Sequence, residues 1–141
     1  MISDKKYISK YISQLYRKSR IFVSKGVSQY DIGSGQLMFL IALYNKDGSN
    51  QEEISESLQM DKATTARALK KLEEENYIVR VRSLEDKRSN KIYLTEKSKA
   101  MKEEIYRVID SWNYKLSESL SEEEEKTLKD LLEKVCKNIN L

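Results

Sequence analysis

A chain of 141 residues suits one domain with helical extensions, and it can bury about two-thirds of its unfolded surface without metal or disulfide staples. Charged residues make up 35% of it, no apolar run approaches the ~18–20 residues of a membrane span, and the N-terminus lacks a signal-peptide pattern. The expectation is therefore a cytoplasmic protein with no membrane partner, and the single cysteine, Cys136, excludes an internal disulfide. The net charge of +3 is unevenly spread. Residues 1–30 hold seven Lys/Arg against one acid, 31–61 one against six, 62–95 nine against five, and 96–141 nine against eleven. Two basic blocks in a modestly charged chain suit a localised polyanion footprint.

In chain order, Asp4 to Lys25 sets Ile8, Ile12, Leu15, Phe22 and Val23 at helical spacing, with Tyr7, Tyr11 and Tyr16 widening the apolar face. Gly26 and then Tyr30-Asp31-Ile32-Gly33 end that helix. Ser34 is the expected N-cap of a second one carrying Leu37, Leu40, Ile41 and Tyr44, which stops near Asp47-Gly48. Asn50 and Glu53 have capping-box spacing and open a short helix with Ile54 and Leu58 on one face. Asp61 is the expected N-cap of the next helix, which runs to about Glu75 with Leu69 and Leu72 inward. Asn76 follows where the chain has to turn left-handed.

Tyr77 to Arg82 and Lys91 to Thr95 alternate in the manner of strands around a polar tip, Ser83 to Asn90. A long helix is expected from about Thr95, with Met101, Ile105, Val108, Trp112, Leu116 and Leu120 on one stripe. Ser121 and Glu124 form a second capping box before a last helix bearing Leu128, Leu131, Leu132, Val135 and Ile139. The fold class is mainly α with a small β-hairpin: a winged helix-turn-helix lobe over residues 31–95, flanked by dimerisation helices at 1–30 and 96–141. The terminal helices hold more apolar surface than one lobe can cover, hence the expected homodimer.

A reader of duplex DNA needs a narrow helix with polar side chains outward and cations for phosphate. The helix after Asp61 supplies both. Thr64, Arg67, Ala68 and Lys71 share a face, and the planar fork of Arg67 suits a guanine edge. Thr64 suits a base edge or thymine methyl, and Lys62, Lys70 and Lys71 suit phosphate, whereas Thr65 suits packing. In the hairpin tip, Lys87 and Arg88 suit the adjacent groove, with Asp86 as the scaffold that shapes the turn.

Asp61-Lys62 through Arg67, Leu72, Tyr77-Ile78 and Asp86-x-Arg88 through Leu94-Thr95 resemble the MarR family of bacterial transcriptional regulators, over most of the chain. Gln36, after a glycine-containing turn, resembles the start of that family's second helix. The chain departs from the family pattern at Asn76 and Ser98, where glycine is usual, at Gln59, where a small residue is frequent, and at Ala66, often Ser or Thr. The resemblance implies a homodimeric repressor on a palindromic operator, relieved by a small, aromatic or phenolic effector. Tyr7, Tyr11, Tyr16, Phe39 and Tyr44 are the candidate lining of an effector pocket.

Other chemistries fit poorly. Without histidine the chain offers no usual zinc set and no imidazole base, and it lacks a phosphate-binding glycine loop or a Gly-x-Ser-x-Gly elbow. No enzyme, metal or cofactor is expected. Cys136, between Val135 and Lys137, reads as a buried structural thiol. The rival reading is a winged helix serving as a protein-interaction module, which has no need of Arg67, Lys71 and Arg88 together.

Overall fold

The computed structural model describes residues 5–85 and 89–140. Its elements are α1 (Ile8–Gly26), α2 (Ser34–Asn45), α3 (Gln51–Leu58), α4 (Lys62–Glu74), β1 (Ile78–Arg82), β2 (Asn90–Leu94), α5 (Glu96–Ala100), α6 (Lys102–Ser117) and α7 (Glu122–Asn138). The expected hairpin-tip residues Asp86, Lys87 and Arg88 lie outside the described residues.

Local chemistry sets most boundaries. The Asn50 side chain accepts from Glu53 N at 2.8 Å and the Glu53 carboxylate accepts from Asn50 N, so both ends of the capping box form. Asp61 caps α4 by accepting from Thr64 N at 2.8 Å. The second helix starts one residue earlier than expected. Gly33, not Ser34, is its N-cap, because the Gln36 side chain reaches back to Gly33 N.

Both helices of the helix-turn-helix end alike. Gln59 (φ 52°) and Asn76 (φ 64°) turn left-handed, which lets Met60 N reach Ser55 O and Tyr77 N reach Leu72 O, each at 2.9 Å. The turn thus demands a positive φ that asparagine tolerates well and glutamine less so.

The core joins Leu37, Phe39, Leu40 and Leu43 of α2 to Ile54 of α3, Leu69 and Leu72 of α4, Ile78, Ile92 and Leu94 of the hairpin, and Met101 and Ile105 beyond it. β1 and β2 pair antiparallel with Ile78 opposite Leu94 and Arg80 opposite Ile92. That register turns Ile78, Ile92 and Leu94 inward and leaves Val79 and Val81 outside. The α2–α3 connection supplies a short third edge. Gly48 N donates to Ile92 O at 2.8 Å, Ile92 N to Ser49 O at 2.9 Å, and Leu94 N to the Asp47 carboxylate at 2.8 Å. Gly48 sits at φ +82°, and a Cβ there would lie 2.9 Å from the Tyr93 ring.

The long helix expected after Thr95 is interrupted. Met101 N bonds to Ser98 O, a tighter link than an α-helix makes, and divides α5 from α6. Ser98 is the cause. It is fully buried, its hydroxyl donates to Tyr77 O, and its carbonyl accepts the Tyr44 hydroxyl at 2.6 Å. Where the family pattern has glycine, this chain has a hydroxyl that satisfies the backbone leaving α4.

α1 and α6 cross closely at Gly26, where a Cβ would meet Val108 at 2.5 Å, and stack Phe22 on Trp112 with ring centroids 5.5 Å apart. The first turns of α1 and the whole of α7 are bare. Ile8 is 76% exposed, Tyr7, Tyr11, Ile12 and Leu15 are also exposed, and α7 buries none of its described residues. Cys136 is exposed on α7, contrary to the buried thiol expected, on a helix none of whose described residues is buried.

Two substitutions test the backbone argument. Gln59→Gly relieves a left-handed side-chain residue and is expected to add up to about 1 kcal/mol in urea unfolding. Gly48→Ala, strained and in collision with Tyr93, is expected to cost more than about 1 kcal/mol in the same measurement.

Candidate nucleic-acid interface

The sequence of α4 sorts its faces by chemistry. Thr65, Leu69 and Leu72 are fully buried. Thr65 also donates its hydroxyl to Asp61 O at 2.9 Å, so it packs. Lys62, Arg67, Lys70 and Lys71 are exposed, Thr64 is half-buried, and Ala68 packs against the core edge. The exposed cations and Thr64 therefore occupy one rigidly seated helix. At its N-terminus the Thr64 hydroxyl accepts from Arg67 Nη2 at 3.3 Å. The Asp61 carboxyl is held below its usual range, first by the Thr64 backbone N–H and then by the Thr64 hydroxyl.

The hairpin is tied to this helix by charge. Arg80, whose side chain is 24% exposed, pairs with Glu73 at 3.4 Å between Nε and the carboxylate. Arg82 and Lys91 are exposed farther along the strands. In the sequence Arg80 and Arg82 are distinguished only as part of an alternating pattern. The signal that separates them is the register, which sets Arg80 opposite the buried Ile92 and Arg82 opposite the exposed Asn90. The expected tip residues Asp86, Lys87 and Arg88 are outside the described residues.

The five aromatic candidates do not share one cavity. Phe39 is 1% exposed and belongs to the core, because α2 is apolar on nearly every face and is packed from several sides. Tyr7, Tyr11 and Tyr16 are exposed along α1. Tyr16 alone borders a cleft of about 160 Å³ with Arg20, Val23, Met38 and Ile109. Tyr44 is half-buried, bonded to Ser98 O and packed 5.9 Å from the Tyr106 ring. Burial, with a smaller effect of Tyr106, pushes its phenol up to about 12. Among the described residues no cluster of His, Cys, Asp and Glu could hold a metal, and no helix is long and apolar enough to cross a membrane.

A helix-turn-helix whose second helix is seated by an apolar face, followed by a hairpin braced against it, defines a winged helix-turn-helix protein. The family model described as "Transcriptional regulator SarA/Rot" matches residues 21–105. The HTH-type transcriptional regulator BilQ of Clostridium symbiosum (strain WAL-14163) is 31% identical over 128 residues, which are 90% of this chain and 89% of that protein. A solved MarR transcriptional regulator from Methanosarcina mazei Go1 is 40% identical, covers 95% of this chain and 96% of its own, and superposes with a TM-score of 0.84. A MarR family regulator from Listeria monocytogenes, solved in complex with 26mer DNA, is 26% identical, covers 96% of this chain and 90% of its own, and has a TM-score of 0.87. The chain belongs to the MarR/SarA family of winged-helix transcriptional regulators, which are not enzymes. The resemblance carried by Asp61 through Thr95 is thus borne out.

The Tyr44 phenol gives a pH test. Its folded pKa lies above the ordinary value of 10, so its contribution to stability is complete below pH 10 and is lost as pH rises toward 12. Tyr44→Phe is expected to cost about 1 kcal/mol at neutral pH through the lost hydrogen bond. Urea unfolding of that variant is also expected to decline less steeply than wild type between pH 10 and 12.

Proposed function

We propose that this protein is a cytoplasmic, homodimeric repressor that binds a palindromic duplex operator and is released by a small aromatic effector. The observation that carries this reading is the two-faced α4: Leu69 and Leu72 buried without remainder, Arg67 and Lys71 exposed, and Thr64 half-buried beside Arg67. A helix anchored in that way keeps its register in a major groove. In this assignment Arg67 reads a base edge, Thr64 lies beside it, and Lys62, Lys70 and Lys71 meet phosphates. Lys87 and Arg88 enter the neighbouring groove from the wing, shaped by Asp86; these three roles are proposed from sequence alone. The DNA complex of the Listeria relative supports the same choice of partner.

The dimer is supported by exposed apolar surface. Leu128, Leu131, Leu132, Val135 and Ile139 on α7, and Ile8, Tyr11, Ile12 and Leu15 on α1, are exposed in the single chain. Apolar helix faces of this kind call for a second copy. The effector acts by differential affinity for two lobe spacings, of which one fits both half-sites and the other does not. The cleft beside Tyr16 and Arg20, between α1, α2 and α6, is its proposed entry, since movement there changes the angle between lobe and dimer helices.

Selection of the purified protein on a randomised duplex pool, at two salt concentrations, tests the proposal. A palindromic site whose affinity falls steeply with salt is expected; sequence-blind, salt-insensitive binding would sink it. Arg67→Ala is expected to cost about 1–3 kcal/mol and to relax preference at one position per half-site. Lys71→Ala is expected to weaken all sequences alike and flatten the salt slope by about one. Leu131→Lys with Leu132→Lys is expected to yield monomers by light scattering, with operator binding lost.

A further inference from the structure

Arg67 is not loose on the surface of α4. Its Nη2 donates to the Thr64 hydroxyl at 3.3 Å, and the Asp61 carboxylate accepts the Thr64 backbone N–H at 2.8 Å. The Thr64 hydroxyl helps to hold that carboxyl below its usual range. A guanidinium only donates, so the Thr64 hydroxyl accepts from Arg67, which leaves its own proton to be given toward the Asp61 carboxylate. Its neighbours in sequence offer the guanidinium no other acceptor. Ala66 has no polar atom, and the Thr65 hydroxyl is buried and spent on Asp61 O. Among the described residues this bond takes one of the five guanidinium N–H groups, and a fork remains for a base edge.

We propose that Thr64 is a positioning residue which, oriented by the Asp61 carboxylate, aims the Arg67 fork at one base pair per half-site, so that Asp61 and Thr64 set base preference without making the base contact. The proposal rests on the reading of Arg67 as the base-reading residue. Its physical content is preorganisation. A long side chain ordered before binding does not lose that freedom at the interface, an effect worth about two- to tenfold in affinity for the site that needs it. The acid at the start of a DNA-reading helix then has a role besides capping: it keeps the hydroxyl's lone pairs turned toward Arg67.

A double-mutant cycle tests it, with the selected operator and the same duplex changed at the one base pair to which Arg67→Ala is sensitive. The quantity read is the ratio of the two affinities. Thr64→Val, which keeps the shape and removes the hydroxyl, is expected to lower the ratio about two- to tenfold, Thr64→Ser to restore it, and circular dichroism to stay unchanged. In the Arg67→Ala background Thr64→Val is expected to change nothing further. An equal loss in both backgrounds means that Thr64 touches the DNA itself, which overturns the positioning role and leaves Arg67 as the reader. An Arg67→Ala variant with unchanged preference at every position overturns the base-reading assignment and this inference with it. Asp61→Ser retains a capping oxygen without the carboxylate; a ratio equal to wild type in that variant overturns the part given to Asp61.

Discussion

The hydrogen-bonded clasp between the α2–α3 connection and β2 is the contact on which the remaining geometry rests. Asp47 accepts from Leu94 N, Gly48 donates to Ile92 O, and Ile92 donates to Ser49 O. A two-stranded hairpin alone is marginal in water. Here the third edge and the inward side chains of Ile92 and Leu94 fix it to α2, the most buried helix of the chain. Since Arg80 of β1 pairs with Glu73 of α4, anchoring the hairpin also braces the helix that carries Arg67. Glycine is required at residue 48 because the chain passes the Tyr93 ring there with a positive φ.

A second, smaller hub continues this frame toward α6. Ser98 takes up Tyr77 O through its hydroxyl and offers its own carbonyl to Tyr44, while Thr95 donates to Asn76 O at 2.8 Å. Tyr30 adds a bond to Glu104 at 2.7 Å, which raises the phenol and lowers the carboxyl from their ordinary values. The lobe is therefore linked to the root of α6 by several polar contacts, whereas α7 and the first turns of α1 are left with exposed leucine, isoleucine and tyrosine. Surface pairs such as Lys126–Asp130 and Lys137–Glu133, at i,i+4 spacing, support α7 only locally and do nothing to cover its apolar face.

Much of this was legible in the sequence, and for local reasons. Asn50 with Glu53, Asp61 with Thr64, and Ser121 with Glu124 close over three residues, so their caps need no tertiary information. Asn76 marks its left-handed turn by residue type. What was not legible had two sources. Gln36 moved a helix start by one residue through a local contact with Gly33, whereas the break at Met101 falls beside Ser98, whose carbonyl accepts from Tyr44, 54 residues away. Phe39 read as an aromatic that could meet a ligand, yet α2 is enclosed on several sides and the ring is core.

The sequence by itself determined the class of fold, the helix that bears Arg67 and the existence of a wing, because periodicity, caps and the Asp86-x-Arg88 to Leu94-Thr95 stretch are written in neighbouring residues. Only the tertiary structure decided which hairpin face is buried, that Arg80 serves Glu73 while Val79 and Val81 face outward, and that Asp47 holds β2 in place. Those outcomes depend on strand register and on contacts between residues tens of positions apart. A one-residue slip in register exchanges the two faces of a strand, and nothing within the strand's own five residues forbids it.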